Sequence, residues 1–303
     1  MALESAVTDK EQQEERVKAG LSRREFLRKG IWVGAGTVAL GGYAGLYEPN
    51  HILTKTVDVP IRNLPEALAG IRVVQISDIH YGDFLGRSHL ENVVRIANDL
   101  RPELIVVTGD FVTSGGSRRT RHGAIEAEPC AKLLGGLRAP SGIFAVLGNH
   151  DVLSDPRFVT AALEAQGIRV LRNASVPIER DGNRLWLAGV DDVLGHGARV
   201  DATLRGIPLN EPVVALVHEP DFADVLCNYK VDLQLSGHSH GGQVRIPFLG
   251  APILPELAKK YPLGMYRVRG MQLYTNPGVG LIALPFRFNC PPEITAFNLR
   301  RDV

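Results

Sequence analysis

The chain has 303 residues, of which 45% are hydrophobic, and this is enough to bury the core of one large domain or two small ones. The formal net charge is +1, which gives no overall attraction to polyanions, so we expect no nucleic-acid partner. The three cysteines are far apart and lack Cys-x-x-Cys spacing, which argues against a zinc knuckle and a disulfide framework. A single disulfide stays open if the protein sits outside the cytoplasm.

Residues 1–50 are predicted to be a targeting segment and not part of the fold. Residues 1–20 mix charged and polar side chains without a core-facing stripe, which indicates disorder. The motif Ser22-Arg23-Arg24-Glu25-Phe26-Leu27 precedes an uncharged, Gly- and Ala-rich run, and it resembles a twin-arginine export signal. That run, residues 30–47, is just long enough to span a bilayer, so we favour an uncleaved anchor. The resemblance implies the twin-arginine export machinery as a partner and a location in the cell membrane or the periplasm (extracytoplasmic space).

Residues 51–303 are predicted to form the catalytic domain. In its first half, apolar runs alternate with helical patterns, which is typical of α/β organisation. Strands are expected at residues 71–76, 104–107 and 143–147. Helices are expected after a capping box at Ser88-His89-Leu90-Glu91, over residues 130–137 and from Asp155-Pro156 onward.

The second half is richer in strands. Short apolar runs separated by turn residues predict strands at residues 168–171, 176–179, 185–187, 213–217, 231–235 and 271–274. Two packed sheets flanked by helices is the simplest architecture that accommodates both halves.

Four segments that directly follow predicted strands carry metal-ligand residue types. They are Asp78-Ile79-His80, Gly109-Asp110, Gly148-Asn149-His150-Asp151 and Gly237-His238-Ser239-His240, and His218 follows a further strand. A single Asp at a strand end is more often a turn or cap residue, but five of the nine histidines fall in these segments. The mixture of Asp, Asn and His suits Mn, Fe or Zn better than Ca. The sequence therefore predicts a two-metal hydrolytic centre.

The motifs Asp-x-His, Gly-Asp, Gly-Asn-His-Asp, a later His and Gly-His-x-His, in this order, resemble the calcineurin-like metallophosphoesterases over residues 70–290. The resemblance implies a four-layer αββα sandwich of two mixed sheets and two divalent metal ions. One metal would take Asp78, His80 and His240, the other would take Asn149, His218 and His238, and Asp110 would bridge them. His150 would act on the scissile phosphate or the leaving group, and Asp151 would orient His150.

Finer motifs resemble one branch of that family, which holds membrane-associated or twin-arginine-exported bacterial phosphoesterases. These motifs lie at residues 236–247, 276–280 and 291–294. The branch implies hydrolysis of a phosphate ester, on a cell-envelope or lipid-linked substrate, by a hydroxide that two metals activate. The alternative is a UDP-2,3-diacylglucosamine pyrophosphatase-type hydrolase of lipid A synthesis, which would need a domain on the cytoplasmic face.

Two further alternatives concern the type of protein and one apolar segment. A non-enzymatic metal-binding envelope protein is disfavoured, because the Gly148-Asn149-His150-Asp151 segment is complete. The apolar, Pro-rich residues 247–257 are expected to form a loop beside the metals. This loop either packs over the domain or forms a lipid-facing wall.

Overall fold

The structure is a computed structural model that describes residues 23–82, 84–114 and 123–302. The predicted disorder of residues 1–20 and the Ser22 position of the export motif lie outside the described residues. The chain divides into two compact units, one ending at Tyr43 and the other running from Ala44 to Val303.

The first unit contains helix α1 (Arg23–Gly42), none of whose side chains is buried. Apolar side chains such as Ile31, Trp32 and Val38 are therefore largely exposed. We predicted that residues 30–47 could span a bilayer. Within the described part of the chain, no helix combines the length and the hydropathy needed to cross a membrane.

The second unit contains two sheets of six strands each. The first sheet comprises β1 (Leu53–Ile61), β2 (Arg72–Ile76), β3 (Leu104–Val107), β4 (Ile143–Ala145), β5 (Ile168–Val170) and β12 (Glu293–Arg301). Their spatial order is β1-β12-β2-β3-β4-β5, with β12 antiparallel to β2 and the other neighbours parallel. Because β2, β3 and β4 are parallel, Asp78, Asp110 and Asn149 follow them at one edge of the sheet.

The second sheet comprises β6 (Ala174–Arg180), β7 (Asn183–Gly189), β8 (Val213–Leu216), β9 (Leu233–Ser236), β10 (Gly264–Val268) and β11 (Met271–Thr275). Their order is β10-β11-β9-β8-β7-β6, and only the outermost strand on each side is antiparallel to its neighbour. The parallel strands β8 and β9 lead at their carboxyl ends into His218 and into the His238–His240 segment.

Helices cover the outer face of each sheet, while the inner faces pack against each other. Helices α2 (Arg87–Asp99), α3 (Ala127–Leu134) and α5 (Pro156–Glu164) cover the first sheet, and the short helix α4 (Asn149–Ser154) carries Asn149, His150 and Asp151. Helices α6 (Val200–Thr203) and α7 (Ala223–Leu226) cover the second sheet. Between the sheets, buried side chains such as Val106, Leu187 and Leu235 form a shared core. The predicted four-layer αββα sandwich is confirmed.

Three strands and the starts of two helices differ from the sequence predictions. The helix predicted over residues 130–137 is α3, which runs three residues earlier, from Ala127 to Leu134. Strands β1, β10 and β12 were not predicted. Only two of nine residues are buried in β1 and one of five in β10, so these two strands lack the buried apolar run that identifies the inner strands. The predicted capping box at Ser88 is wrong, because α2 begins at Arg87 with Gly86 as N-cap and without a side-chain cap. The cap of α5 is as predicted, since the Asp155 carboxylate accepts the N–H groups of Arg157 and Phe158. All three cysteines are free thiols.

Candidate metal centre

The carboxyl ends of strands from both sheets bring the predicted ligands to one place. Asp78, His80 and His240 are buried, and one candidate ligand atom from each lies within 4.8 Å of the others. His240 Nε2 lies 3.4 Å from Asp78 Oδ1 and 3.0 Å from His80 Nε2. Two imidazole nitrogens and a carboxylate oxygen converge there, which is the donor set expected for one divalent transition metal.

A second buried group lies beside the first. Candidate ligand atoms of Asp110, His218 and His238 also lie within 4.8 Å of one another. Asp110 Oδ2 is 3.2 Å from His218 Nε2 and 3.5 Å from His80 Nε2. One carboxylate oxygen therefore reaches histidines of both groups, which is the position a bridging ligand requires.

One buried polar atom without a hydrogen bond indicates that the residues fit a metal pair. Among the described residues, Asn149 Oδ1 has no hydrogen-bond partner, while His218 Nε2 faces the Asp110 carboxylate at 3.2 Å. A buried polar atom without a partner costs about 1–3 kcal/mol. A cation bound by the Asn149 oxygen would remove that cost.

Hydrogen bonds to the far side of each ring decide which nitrogen is offered to the metal. His218 Nδ1 lies 2.6 Å from the Thr108 carbonyl oxygen, so Nε2 faces the site. His238 Nε2 lies 2.8 Å from the Glu256 carbonyl oxygen, so Nδ1 is the free nitrogen. His80 Nδ1 lies 3.1 Å from Thr113 Oγ1. Such partners fix the tautomer and the orientation of ligating histidines.

The backbone at the ligands is strained. Five non-glycine ligands have φ between 46° and 65°, and they are Asp78, His80, Asp110, His238 and His240. This left-handed region is uncommon for such residues, and it is found where the surrounding structure holds the chain for a functional purpose. Glycine is required beside them, because a Cβ at Gly148 or Gly237 would collide with the carboxylate of Asp110 or Asp78.

Burial keeps three of the histidines neutral. It lowers the pKa of His80 to about 3 and that of His238 to about 4, and it also lowers the pKa of His240 well below its usual value. A neutral imidazole keeps the lone pair that a metal needs. Burial also raises the pKa of Asp78 to about 6.

Asp110 and His218 form a charged pair at the centre of the site. Burial opposes charge on both groups, but the positive charge of His218 holds the pKa of Asp110 well below its usual value. In the same way, burial is outweighed by the Asp110 carboxylate, so the pKa of His218 lies well above its usual value. Without a metal ion, the protonated His218 thus provides the positive charge that stabilises the Asp110 carboxylate, and a bound cation would take over this role.

The ring of His150 lies at the edge of this centre. It is half-buried and packs edge-on against His80, with ring centroids 5.0 Å apart. The backbone N–H of Ser114 donates to His150 Nδ1 at 3.1 Å, and Ser114 Oγ lies 2.9 Å from the same nitrogen. The Ser114 carbonyl oxygen also lies 3.2 Å from Nδ1, so Ser114 engages this side of the ring and Nε2 is the nitrogen left for a substrate.

The prediction that Asp151 orients His150 is not supported by their contacts. The Asp151 carboxylate accepts the backbone N–H groups of Asp110, Phe111, Val112 and Gly148 at 2.8–3.2 Å. It therefore joins the loop after β3 to the loop after β4, while Ser114 forms the hydrogen-bond contacts to the His150 ring. Burial and the charge of Asp110 raise the pKa of Asp151 to about 7, against the lowering effect of the N–H groups.

A cavity of about 330 Å³ opens directly on the ligands. Its floor includes Asp110, Asn149, His150, His238 and His240. Its walls are apolar and come from two loops, at residues 252–255 and 282–284. The predicted loop at residues 247–257 therefore lies beside the metal ligands, as expected.

Several supporting residues were missed by the sequence reading. Thr113 and Ser114 follow Asp110 in the same loop. Their closeness to Asp110 in the sequence could have indicated a role at the site, but they belong to none of the motifs. Gln243 lies within the motif at residues 236–247 but had no predicted role; its side-chain amide donates to the carbonyls of Ile282 and Leu284. Gln75 is buried, and it links the sheets by donating to Thr108 Oγ1 and to the Ser236 carbonyl.

Comparison with known proteins agrees with this geometry. The family described as calcineurin-like phosphoesterase matches residues 71–242. The uncharacterized metallophosphoesterase YkuE of Bacillus subtilis (strain 168) is 36% identical over 92% of this chain and 98% of its own length. Phosphodiesterase YaeI of Escherichia coli (strain K12) is 28% identical over 92% of this chain and 99% of its own.

A vertebrate protein is also similar. A transmembrane protein with metallophosphoesterase domain from Danio rerio is 32% identical over 95% of this chain, which spans 65% of that protein. The family match covers more than half of the chain, and the structure supplies two groups of His and Asp ligands for two divalent metals. The chain therefore belongs to the calcineurin-like phosphoesterases and is a metal-dependent phosphoester hydrolase.

Proposed function

We propose that this metallophosphoesterase hydrolyses a phosphate ester that carries an apolar group, on a cell-envelope or lipid-linked substrate. The apolar cavity on the metal ligands carries the proposal. The phosphate would lie on the floor between the ligands, and the apolar group would lie between the loops at residues 252–255 and 282–284. Pockets of this kind combine apolar walls with a few convergent polar groups.

We assign the ligands as two sets that share one residue. Asp78, His80 and His240 hold one ion, Asn149, His218 and His238 hold the other, and Asp110 bridges them. The donor set favours Mn, Fe or Zn. When bound, such ions act as Lewis acids on phosphoryl oxygens and lower the pKa of water to about 7.

The protein's own groups would orient the phosphate and donate a proton. Ser114 engages Nδ1 of His150, which leaves Nε2 for the substrate. When Nε2 carries a proton, it can donate to a phosphoryl oxygen or to the leaving group, where negative charge builds in the transition state. The three neutral histidines offer lone pairs and the carboxylates offer negative charge, so binding of cations is favoured once His218 loses its proton.

Hydrolysis of bis-p-nitrophenyl phosphate and p-nitrophenyl phosphate by the full-length protein tests the reaction class. The protein is stripped with a chelator and then receives Mn, Zn or Fe. We expect turnover only with metal, and loss of it in Asp110→Asn. The matched control is Asp155→Asn, an exposed acidic cap, which should retain turnover. Metal-dependent turnover in Asp110→Asn equal to wild type would refute the bridging role.

A series of p-nitrophenyl phosphodiesters with lengthening alkyl groups tests the apolar substrate. Each methylene that enters the cavity contributes about 0.8 kcal/mol, or roughly fourfold in kcat/KM. The series is measured below the concentration at which the esters form micelles. A flat response with normal turnover of bis-p-nitrophenyl phosphate would refute the apolar substrate but leave the reaction class intact.

The same cavity also suits a UDP-2,3-diacylglucosamine pyrophosphatase-type activity. Such a substrate carries acyl chains beside a diphosphate, so it combines an apolar part with the phosphate that the metals would hold. Release of UMP from that nucleotide lipid, followed by phosphorus NMR, would favour this candidate. Turnover of the alkyl diesters without UMP release would exclude it.

We further propose that the N-terminal segment directs the protein to the twin-arginine export machinery and associates with a membrane. Arg23 and Arg24 precede an uncharged run, and the apolar side chains of α1 are exposed. The relative from Danio rerio is named as a transmembrane protein. Replacing both arginines by lysine should stop export in a cell-fractionation assay, and unchanged fractionation would refute the proposal.

A further inference from the structure

An apolar surface surrounds the mouth of the cavity. It consists of the hairpin tip at residues 246–249, with Ile253 and Leu284 beside it, and we refer to it as the apolar rim. We propose that the apolar rim inserts into the surface of a lipid bilayer. This inference rests on the proposed function. Docking would place the mouth of the cavity against the bilayer, in which an apolar substrate is dissolved.

The rim residues are exposed to an unusual degree. Phe248 is 108% exposed, Leu249 is 81% exposed and Ile253 is 78% exposed. The hairpin is a fixed structure, since the N–H groups of Ile246 and Gly250 each donate to the other residue's carbonyl. Contiguous exposed apolar surface of this kind marks an interaction site.

The rim and the cavity are parts of one structure. Ile253 and Leu284 line the cavity, and residues 252–255 follow the hairpin by two residues. Gln243 holds the loop at residues 282–284 through bonds to the Ile282 N–H and carbonyl. A membrane or molecule that contacts the hairpin tip therefore lies at the entrance of the cavity that leads to the candidate metal ligands.

The chemistry of the rim suits hydrocarbon. Residues 246–255 (IPFLGAPILP) and 281–286 (LIALPF) contain no side chain that can donate or accept a hydrogen bond. Protein interfaces carry about one hydrogen bond per 100–200 Å² and a polar border. The hydrocarbon interior of a bilayer needs no hydrogen-bond partners. Proteins that bind the membrane interface insert apolar side chains of this kind and keep their polar side in the headgroup region.

The start of the second unit is attached beside the rim. The Ala44 carbonyl accepts the N–H of Arg287, and the buried Glu48 carboxylate accepts the N–H groups of Asn289 and Cys290. Residues 287–290 also bond the chain that leads into the hairpin, because Arg245, just before the hairpin tip, donates its N–H to the Phe288 carbonyl. Ala44, the first residue of this unit, therefore lies at Arg287, which follows the loop that carries Leu284.

Tryptophan substitution in the full-length protein tests the docking. Phe248→Trp places a fluorophore at the hairpin tip, and Leu209→Trp is the matched control, because Leu209 is 80% exposed and precedes β8 at the opposite end of the strand from His218. Each variant is mixed with phosphatidylethanolamine–phosphatidylglycerol vesicles whose acyl chains are brominated. The emission of the wild type, from Trp32 and Trp186, is subtracted. We expect loss of most of the added emission for Phe248→Trp and none for Leu209→Trp.

Three outcomes would overturn the inference. The first is a protein that binds vesicles while the Phe248→Trp emission stays unquenched, which would assign binding to the N-terminal segment alone. The second is absence of vesicle binding. The third is a blue shift of that emission that depends on protein concentration without lipid, which would show that a second copy covers the rim. Turnover of bis-p-nitrophenyl phosphate by the wild type separates each of these from failure of the catalytic proposal.

A second variant measures the contribution of the hairpin tip. Phe248→Asn with Leu249→Gln removes both apolar side chains, and Asn tolerates the positive φ of 68° at residue 248. We expect the vesicle dissociation constant to rise about tenfold, which is about 1.4 kcal/mol. Leu209→Gln should leave it unchanged. Equal affinities of the double variant and the wild type would refute docking through the rim.

Discussion

The role of Asp151 can be decided by a single isosteric change, Asp151→Asn. In the structure, Oδ2 accepts the N–H groups of Asp110 and Gly148, and Oδ1 accepts those of Phe111 and Val112. An asparagine side chain retains one oxygen, but its amide group would face two N–H groups. Two buried donors would then lose their acceptor.

The expected magnitude follows from those two donors. Each unsatisfied buried N–H costs about 1–3 kcal/mol, so the variant should lose about 2–6 kcal/mol of unfolding free energy. For a unit of this size that corresponds to a fall in melting temperature of roughly 5–20 °C. The loops that carry Asp110 and Asn149 would separate, so metal affinity should fall as well.

Thermal and urea unfolding followed by circular dichroism measure this loss. The protein is held in chelator at pH 8, above the Asp151 pKa of about 7, so that the carboxylate is ionised and metal does not contribute. Asp155→Asn is the matched control, because its carboxylate caps α5 at an exposed position and Asn is an equally good cap. The control should have the same melting temperature as the wild type.

A different result would restore the role predicted from the sequence. If Asp151 acted by orienting His150, the variant would lose turnover without losing stability. Wild-type melting combined with a large fall in kcat would therefore refute the structural role that we assign to the four N–H bonds.

Three other predictions concern the site itself. His150→Ala should bind both metals, measured by elemental analysis, and lose most of its kcat, and wild-type kcat at full metal content would refute a role in the transition state. Ser114→Ala removes the Oγ contact but keeps the backbone N–H bond, so it should lower kcat much less than His150→Ala; an equal loss would show that the hydroxyl controls the ring. Metal affinity, measured by equilibrium dialysis, should fall roughly tenfold per pH unit near neutral pH, because the pKa of His218 is raised and this residue must release its proton to bind. Below about pH 6 the fall should steepen to roughly a hundredfold per pH unit, because Asp78 has a pKa of about 6 and must lose its proton as well; affinity that does not change with pH would contradict both assignments.

The inner strands and the candidate ligands both leave local signals in the sequence. Runs such as residues 104–107 are apolar throughout, since strands buried on both faces cannot alternate. Each ligand follows such a run, and glycine stands beside Asp110, Asn149 and His238. Strands β1 and β12 were missed because β12 mixes polar and apolar residues and β1 is mostly exposed, so only their pairing makes them part of the sheet.

The sequence by itself determined the residue types of the metal centre, their order and their association with strand ends, since these follow from local periodicity and ligand chemistry. Only the tertiary structure decided what each side chain contacts. It showed that Asp151 bonds backbone N–H groups, that Ser114 contacts His150, and that the Glu256 carbonyl fixes the His238 ring. These partners lie up to 41 residues apart in the chain, at Asp110 and Asp151. Such contacts depend on how loops that follow different strands fold together at the strand ends, and no local pattern in the sequence encodes that geometry.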